Sequence, residues 1–150
     1  MSFWSSLRIS SSALFAQRLR LDTISNNVAN AETTKTDAGG AYQRKDVVFT
    51  AANKVPYLAN LMMTKRSIGE KALNLQGVKV AQIKTDTTPG EKVFEPTHPN
   101  ADADGYVTYP NVNLVTEMTN MLSATRSYEA NLTMVEAAKT MANKAIEIGR

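Results

Sequence analysis

The chain has 150 residues, a formal net charge of +3 and no cysteine. This length fits one domain, and the lack of cysteine excludes disulfides and thiolate zinc sites. The cations are spread thinly and form no basic stripe, which excludes the charge pattern of nucleic-acid binding proteins. We expect no membrane span, because no apolar run reaches roughly 18 residues, and no cleaved signal peptide, because the first residues lack a basic segment followed by an apolar one.

The helix-breaking residues are concentrated in the middle of the chain. All five prolines and six of the seven glycines lie between Gly39 and Pro110. This distribution predicts a helical N-terminal arm over residues 1–38, a central module over 39–110 and a long C-terminal helix over 111–150 that packs with the N-terminal arm.

The N-terminal arm carries apolar residues at heptad spacing. Leucine or valine recurs at every seventh position in the row Leu7, Leu14, Leu21 and Val28. The neighbouring row contains apolar residues but is interrupted by polar ones: Phe3, Ser10, Gln17 and Ile24. A seam of this kind predicts burial against another helix.

Three amides follow at the end of this arm. Asn26, Asn27 and Asn30 accompany Ser25, and these residue types weaken an isolated helix because their side chains compete for backbone hydrogen bonds. A packed interface could instead use the amides as contacts that fix the register. The arm is therefore predicted to be marginal alone and to be ordered by its partners.

The central module is predicted to contain short strands. Residues 42–49, 77–86, 91–94 and 106–109 are rich in β-forming residue types and are separated by turn sequences. Residues 62–75 could form a loop or a short helix. The predicted fold class is α+β, with long terminal helices in a coiled-coil-like α-domain and a small, mainly β insertion between them.

The C-terminal helix is predicted to begin after Pro110, where Asn111 or Asn113 can cap it and Glu117 lies near its positive end. As one helix, residues 111–148 would be about 57 Å long. Its predicted apolar seam alternates steps of four and three: Leu114, Met118, Met121, Thr125, Tyr128, Leu132, Val135, Lys139, Ala142 and Ile146. Periodicity alone leaves open whether this seam serves an assembly or an intramolecular helical hairpin.

Residues suited to catalysis or metal binding are scarce. His98 is the only histidine and lies in a proline-rich turn, where a hydrogen-bonded turn residue is the simpler interpretation than a catalytic relay. The acidic loop after Pro99 has partial calcium-loop spacing, but Asn111 stands where a bidentate Glu is needed, which favours a turn rich in Asp and Asn. We therefore expect no enzyme activity, no cofactor and no metal.

Several motifs, in order along the chain, carry a family resemblance. The segment Leu21 to Thr34, with its Ser-Asn-Asn-Val-Ala-Asn-Ala core, resembles the N-terminal signature of bacterial flagellar rod and hook axial proteins. Residues 126–131 resemble the C-terminal counterpart of that signature. Further segments are similar to the FlgC-type proximal rod proteins within that family: 39–45, 96–102, 105–107 and 110–113. Ala41 stands where proline is expected, which affects only the local turn.

The resemblance implies a structural subunit of the proximal rod of the flagellar basal body. Such subunits are exported without a cleaved signal by the flagellar type III apparatus. Their terminal helices stack into a helical drive shaft that crosses the periplasm around the export channel and transmits torque. The implied partners are other copies of the chain, other rod subunits and the export apparatus, with no nucleic acid, small-molecule substrate or membrane span.

The seams and the amides together predict the assembly interface, which consists of Leu7, Leu14, Leu21, Ile24, Asn26, Asn27, Val28, Asn30, Leu114, Met118, Met121, Tyr128, Asn131, Leu132, Val135 and Ile146. Two other functions remain as alternatives. A secreted coiled-coil adaptor or export chaperone would share the helical arms but would form a discrete oligomer. A small periplasmic hydrolase would need a carboxylate pair, and no motif identifies one.

Overall fold

The computed structural model describes residues 3–37, 39–52 and 77–149. Two long helices at the ends of the chain enclose four short strands, which confirms the α+β class predicted from the sequence. The elements, in chain order, are α1 (Phe3–Ala29), β1 (Lys45–Ala51), β2 (Val78–Thr85), β3 (Lys92–Phe94), β4 (Tyr106–Thr108) and α2 (Leu114–Ile148). The segment 62–75, predicted as a loop or a short helix, lies outside the described residues.

Helix α1 ends at Ala29, short of the predicted arm boundary at residue 38. The Asn30 amide side chain donates to the carbonyl of Asn26 (2.9 Å), which also accepts from the Asn30 backbone N–H (3.1 Å). Thr33 then bonds back to Asn30 through both its backbone N–H and its hydroxyl. These local bonds replace the helical pattern, so the chain turns instead of continuing as a helix.

Helix α2 begins at a capped end, as the sequence predicted. The Asn113 side chain accepts a hydrogen bond from the backbone N–H of Thr116 (3.0 Å), which satisfies one of the free donors of the first turn. The helix then runs uninterrupted for 35 residues, which corresponds to about 52 Å.

The strands form two separate two-stranded antiparallel sheets, β1 with β2 and β3 with β4. In the first sheet Lys45 lies opposite Thr85, and the register shifts between Val48 and Phe49. This sheet is attached to α1 by the Ser12 hydroxyl, which accepts from the Val78 N–H (3.1 Å) and donates to the Ile9 carbonyl. Gly77 is required at this approach, because its φ is 86° and a Cβ there would overlap the Ser12 hydroxyl.

The two helices pack antiparallel. Asn27 at the end of α1 bonds to Glu117 at the start of α2, and burial then continues backwards along α1 and forwards along α2. Among the described residues, only six hydrophobic side chains are buried, and three of them are alanines: Ala16, Ile24, Val47, Val107, Ala124 and Ala138. The single chain therefore has a small core for its size.

The row of α2 that faces α1 differs from the predicted seam. The buried residues Glu117, Ala124 and Ala138 belong to one heptad row. The predicted seam consists of two heptad rows. In the row that contains Met118, Leu132 and Ile146, these side chains are 60%, 42% and 71% exposed. In the other row of the predicted seam, Met121, Tyr128, Val135 and Ala142 are half-buried.

Helix α1 shows the same preference for small residues at the helix pair. Its buried positions are Ser10, Ala16, Thr23, Ile24 and Asn27, whereas the leucine row from Leu7 to Leu21 is half-buried. Small side chains let two helix backbones approach closely, so they occupy the line of contact and the larger side chains lie beside it. Many large apolar side chains of α2 consequently remain on the surface.

Candidate functional site

A buried amide lies at the junction of the two helices and the first sheet. Asn27 has 0% exposure and uses all of its hydrogen-bonding capacity. Its Nδ2 donates to the Lys45 carbonyl (2.8 Å) and to Oε2 of Glu117 (3.0 Å). Its Oδ1 accepts from the Lys45 N–H (3.0 Å) and from the Tyr42 hydroxyl (3.0 Å). The side chain therefore bonds the main chain of Lys45 as a neighbouring β-strand would.

A buried ion pair lies beside this amide. Glu117 is 1% exposed, and its Oε1 accepts from both Nε and Nη2 of Arg44, each at 2.9 Å. The Arg44 backbone N–H donates to the Asn111 side chain (3.2 Å) just before α2. Arg44 and Asn27 together neutralise and solvate a carboxylate that would otherwise be costly to bury.

Tyr42 is half-buried and lies between this junction and the solvent. Burial raises the pKa of its hydroxyl above the usual value, and the nearby negative charge of Glu117 adds to the shift. The Lys45 ammonium lies over the Tyr42 ring, 5.9 Å from its centroid, within the range of a cation–π contact. Burial and the charge of Glu117 both favour the neutral phenol that donates to Asn27.

We call Asn27, Tyr42, Arg44 and Glu117 the junction network. Its members come from the end of α1, the segment that leads into β1 and the start of α2, so it joins three parts of the chain that are distant in sequence. A buried polar network is satisfied in one arrangement only, so it fixes the register of the elements that contribute to it.

The two other amides near the end of α1 have local partners. Asn26 donates from Nδ2 to the Asp22 carbonyl (2.9 Å), and Asn30 donates to the Asn26 carbonyl. Both bonds stay within the last turns of α1 or just after it. Of the three, only Asn27 is buried and bonds to residues outside α1.

Exposed apolar side chains on the two helices form a second candidate functional site, separate from the junction network. On α1 these include Trp4 and Phe15. On α2 they extend along the whole helix and comprise Leu114, Val115, Met118, Leu122, Leu132, Met134, Met141, Ile146 and Ile148. Monomeric soluble proteins rarely expose so many large apolar side chains on one helix, and such surfaces are typical of protein interaction sites.

The predicted interface residues differ in how far the chain itself buries them. Ile24 and Asn27 are buried, whereas Asn26, Leu114, Met118, Leu132 and Ile146 are exposed. The remaining predicted residues are half-buried: Leu7, Leu14, Leu21, Val28, Asn30, Met121, Tyr128, Asn131 and Val135.

Sequence reasoning overlooked several residues of both features. Arg44 and Tyr42 were missed because their partners lie far away in sequence. Glu117 was interpreted only as a favourable charge at a helix start. Met134, Met141 and Leu122 lie off the heptad rows, although their apolar character and their positions on an otherwise polar surface could have indicated them.

The described residues show few features of a metal site or a catalytic site. His98 accepts a hydrogen bond at Nδ1 from the Asn100 N–H (3.1 Å), which makes it a turn residue. No group of three or more His, Asp and Glu side chains within residues 3–37, 39–52 and 77–149 is placed to hold a metal ion. In the same part of the chain, no helix combines the length and the apolar character needed to cross a lipid bilayer.

Comparison with known proteins gives a consistent result at both ends of the chain. Residues 7–35 match the family described as "Flagella basal body rod protein", and residues 103–148 match "Flagellar basal body rod FlgEFG protein C-terminal". The first match contains Asn26, Asn27 and Asn30, and the second contains α2.

Similarity to individual proteins extends over nearly the full length. The flagellar basal-body rod protein FlgC of Borreliella burgdorferi is 41% identical, with 99% of this chain and 98% of the relative covered. The FlgC proteins of Bacillus subtilis and Salmonella typhimurium are 41% and 38% identical, with complete coverage for the former and 95% of this chain and 94% of the relative for the latter.

Proposed function

The chain belongs to the FlgC family of flagellar basal-body rod proteins, and on this premise we propose how it builds the rod. Family membership makes it a structural subunit of the basal body and not an enzyme. In the proposed assembly, subunits stack helically through α1 and α2 around the export channel. The resulting rod crosses the periplasm and transmits motor torque.

The observation that carries this proposal is the distribution of apolar side chains. The single chain buries mostly small residues between its helices, while nine large apolar side chains of α2 remain exposed. Full burial of one such side chain contributes about 1.5–3 kcal/mol before ordering costs. Covering them with neighbouring subunits therefore supplies a strong driving force for assembly, whereas an isolated monomer leaves it unused.

The three regions of the chain have separate roles in this proposal. The arm over residues 1–38 and the helix over 111–150 form the packed tube wall. The module over 39–110 lies outside the tube and makes lateral contacts that distinguish this subunit from its neighbours. Other copies of the chain and other rod subunits are the proposed partners in the rod, and the flagellar type III apparatus exports the chain without cleavage of a signal.

The residues proposed for assembly act in two ways. Exposed and half-buried side chains, such as Met118, Leu132 and Val135, contact neighbouring subunits directly. Asn27 acts from inside, because the junction network sets the position of α1 relative to α2 and hence the shape of the surface that neighbours meet. A helical assembly repeats one interface many times, so a small error in that shape accumulates along the rod.

The first test replaces two residues of the predicted seam. We expect the double variant Leu132→Ser, Val135→Ser to abolish swimming and to be absent from isolated basal bodies, because two apolar contacts are lost at every repeat. The control variant Thr133→Ser, Glu136→Ser carries the same replacements one position further along α2, at exposed polar residues. It should swim normally.

The measurement is swimming speed in soft agar together with immunoblotting of basal bodies, in cells that express each variant in place of the native chain. Whole-cell blots establish that both variants accumulate equally. Normal swimming by the Leu132→Ser, Val135→Ser strain would refute the proposed role of the seam. Absence of the unmodified chain from basal bodies would refute the rod function itself.

A further inference from the structure

The outward surface of α1 carries aromatic and cationic side chains in one line. Trp4 is 76% and Phe15 68% exposed, and Arg8, Ser11 and Arg18 are exposed as well. These five residues follow one another in steps of four and three, so they lie on one side of the helix. We call them the outer stripe. From its first to its last residue the outer stripe is about 21 Å long.

The two arginines lie on different sides of the aromatic rings. At about 100° per residue, Trp4 and Phe15 are about 20° apart around the helix axis. Arg8 lies about 30° to one side of the line midway between them, and Arg18 lies about 50° to the other side. The outer stripe therefore has an aromatic centre with one cation along each border.

The outer stripe has no acidic residue to balance its arginines. Residues 3–21 contain neither Asp nor Glu. The ion pairs within the described part of the chain all involve Arg44, so Arg8 and Arg18 take part in none of them. The outward surface of α1 consequently carries two positive charges that the described residues leave uncompensated.

An anionic lipid surface has the chemistry that this arrangement requires. Tryptophan and other aromatic side chains are favourable at the boundary between lipid headgroups and acyl chains. An arginine on each border can extend its guanidinium towards the lipid phosphates while the stem of its side chain stays beside the apolar rings. A helix of this kind lies in the plane of the interface and does not cross it.

The exposed surface of α2 does not suit the same partner. Its apolar side chains are interspersed with the exposed carboxylates of Glu129, Glu136 and Glu147, which anionic headgroups would repel. Helix α2 packs on the buried side of α1, roughly opposite to the outer stripe. A subunit that contacts lipid through α1 therefore keeps the apolar side chains of α2 available to other proteins.

We propose that the outer stripe binds the free subunit to an anionic phospholipid surface. The rings of Trp4 and Phe15 enter the interface, and Arg8 and Arg18 contact lipid phosphates. This contact concerns the subunit before it enters an assembly, so its test is separate from that of the rod function.

Trp4 makes this contact measurable, because it is the only tryptophan of the chain. The purified full-length chain is mixed with vesicles of phosphatidylcholine alone, or of an equimolar mixture of phosphatidylcholine and phosphatidylglycerol. We expect the emission of Trp4 to shift to shorter wavelength, and the chain to co-sediment, with the anionic vesicles only. Added salt should weaken this binding, because it screens the charges of the arginines.

Three double variants identify the residues that bind. Arg8→Ser, Arg18→Ser should bind the anionic vesicles about 30-fold more weakly, because each cation near such a surface strengthens binding about fivefold. Arg8→Lys, Arg18→Lys keeps both charges and should retain most of the binding. The matched control Lys139→Ser, Lys144→Ser removes the same charge from exposed positions of α2 and should bind as the native chain does. Circular dichroism establishes that each variant keeps its helices.

Several results would overturn the proposal. The native chain would fail to bind the anionic vesicles, or it would bind both vesicle types equally, which would leave the arginines without a role. An equal loss of binding in the two serine variants would show that net charge decides and not the outer stripe. Failure of the native chain to bind vesicles, together with loss of Arg8→Ser, Arg18→Ser from basal bodies, would assign the outer stripe to an acidic protein surface. None of these results counts against the rod function, which depends on the presence of the native chain in basal bodies.

Discussion

Replacement of Asn27 by alanine tests the junction network most directly. The change removes all four hydrogen bonds of a side chain that has 0% exposure. The bonding partners differ in their access to water. Lys45 is exposed and Tyr42 is half-buried as whole residues, so we expect water to replace part of their bonds to Asn27. The Glu117 carboxylate is 1% exposed and would lose a donor without replacement.

The expected loss of stability follows from this difference. A hydrogen bond to a charged group contributes about 1.5–3 kcal/mol, and each neutral bond about 0.5–1.5 kcal/mol, most of which water recovers at the exposed partners. We therefore expect the free energy of unfolding to fall by about 3 kcal/mol. With a typical denaturant dependence of about 2 kcal/mol/M, the urea midpoint would fall by about 1.5 M.

The neighbouring residue supplies the control. Asn26 is the same residue type one position earlier, but it is exposed and bonds only to the Asp22 carbonyl of its own helix. Asn26→Ala should change stability by less than about 0.5 kcal/mol. Urea titration of both purified variants, followed by far-ultraviolet circular dichroism, gives the comparison. Equal midpoints for the two variants would refute the assignment of the junction network as a stabilising element.

Two further predictions concern the turn before β3 and the pH dependence of the junction network. Gly90→Ala should lower the urea midpoint, because a Cβ at this position would overlap the Tyr109 carbonyl oxygen. In the control Gly40→Ala the added Cβ meets open space and should cost only backbone strain of about 1 kcal/mol. Equal losses of stability would contradict the close contact between Gly90 and Tyr109. Tyr42 has a raised pKa in the folded state, so its contribution is fully present below its usual pKa of 10.0 and is lost as the pH rises through the folded value. The stability difference between the native chain and Tyr42→Phe should therefore shrink above about pH 10, and a difference that stays constant would show that the phenol does not titrate within the network.

The helices and strands could be predicted because their signals are local. The breakers between Gly39 and Pro110, the Asn113 cap and the β-forming runs each act within a few residues, and the structure places elements where these signals predict them. The end of α1 at Ala29 was harder to predict, because Asn30 and Thr33 stop the helix by side-chain bonds and not by an obvious breaker.

The contacting face of α2 could not be derived from apolar periodicity. Periodicity identifies the apolar seam but leaves open what covers it, whereas the helix pair uses the row of Glu117, Ala124 and Ala138. Burial of Glu117 depends on Arg44, which lies 73 positions away in sequence. Such a pairing is visible only after the chain has folded, and the large apolar rows are free for other contacts because the small row already serves the helix pair.

The bonds between Asn27 and Lys45 impose unequal sequence requirements on their two positions. Asn27 recognises only the amide N–H and carbonyl of residue 45, and the lysine side chain takes no part in either bond. Position 45 is therefore open to almost any amino acid except proline, which lacks the N–H. Position 27 is more restricted, because a shorter side chain does not reach these partners and an ionised aspartate has no N–H to donate. We therefore expect substitutions to be tolerated at position 45 and to be costly at position 27.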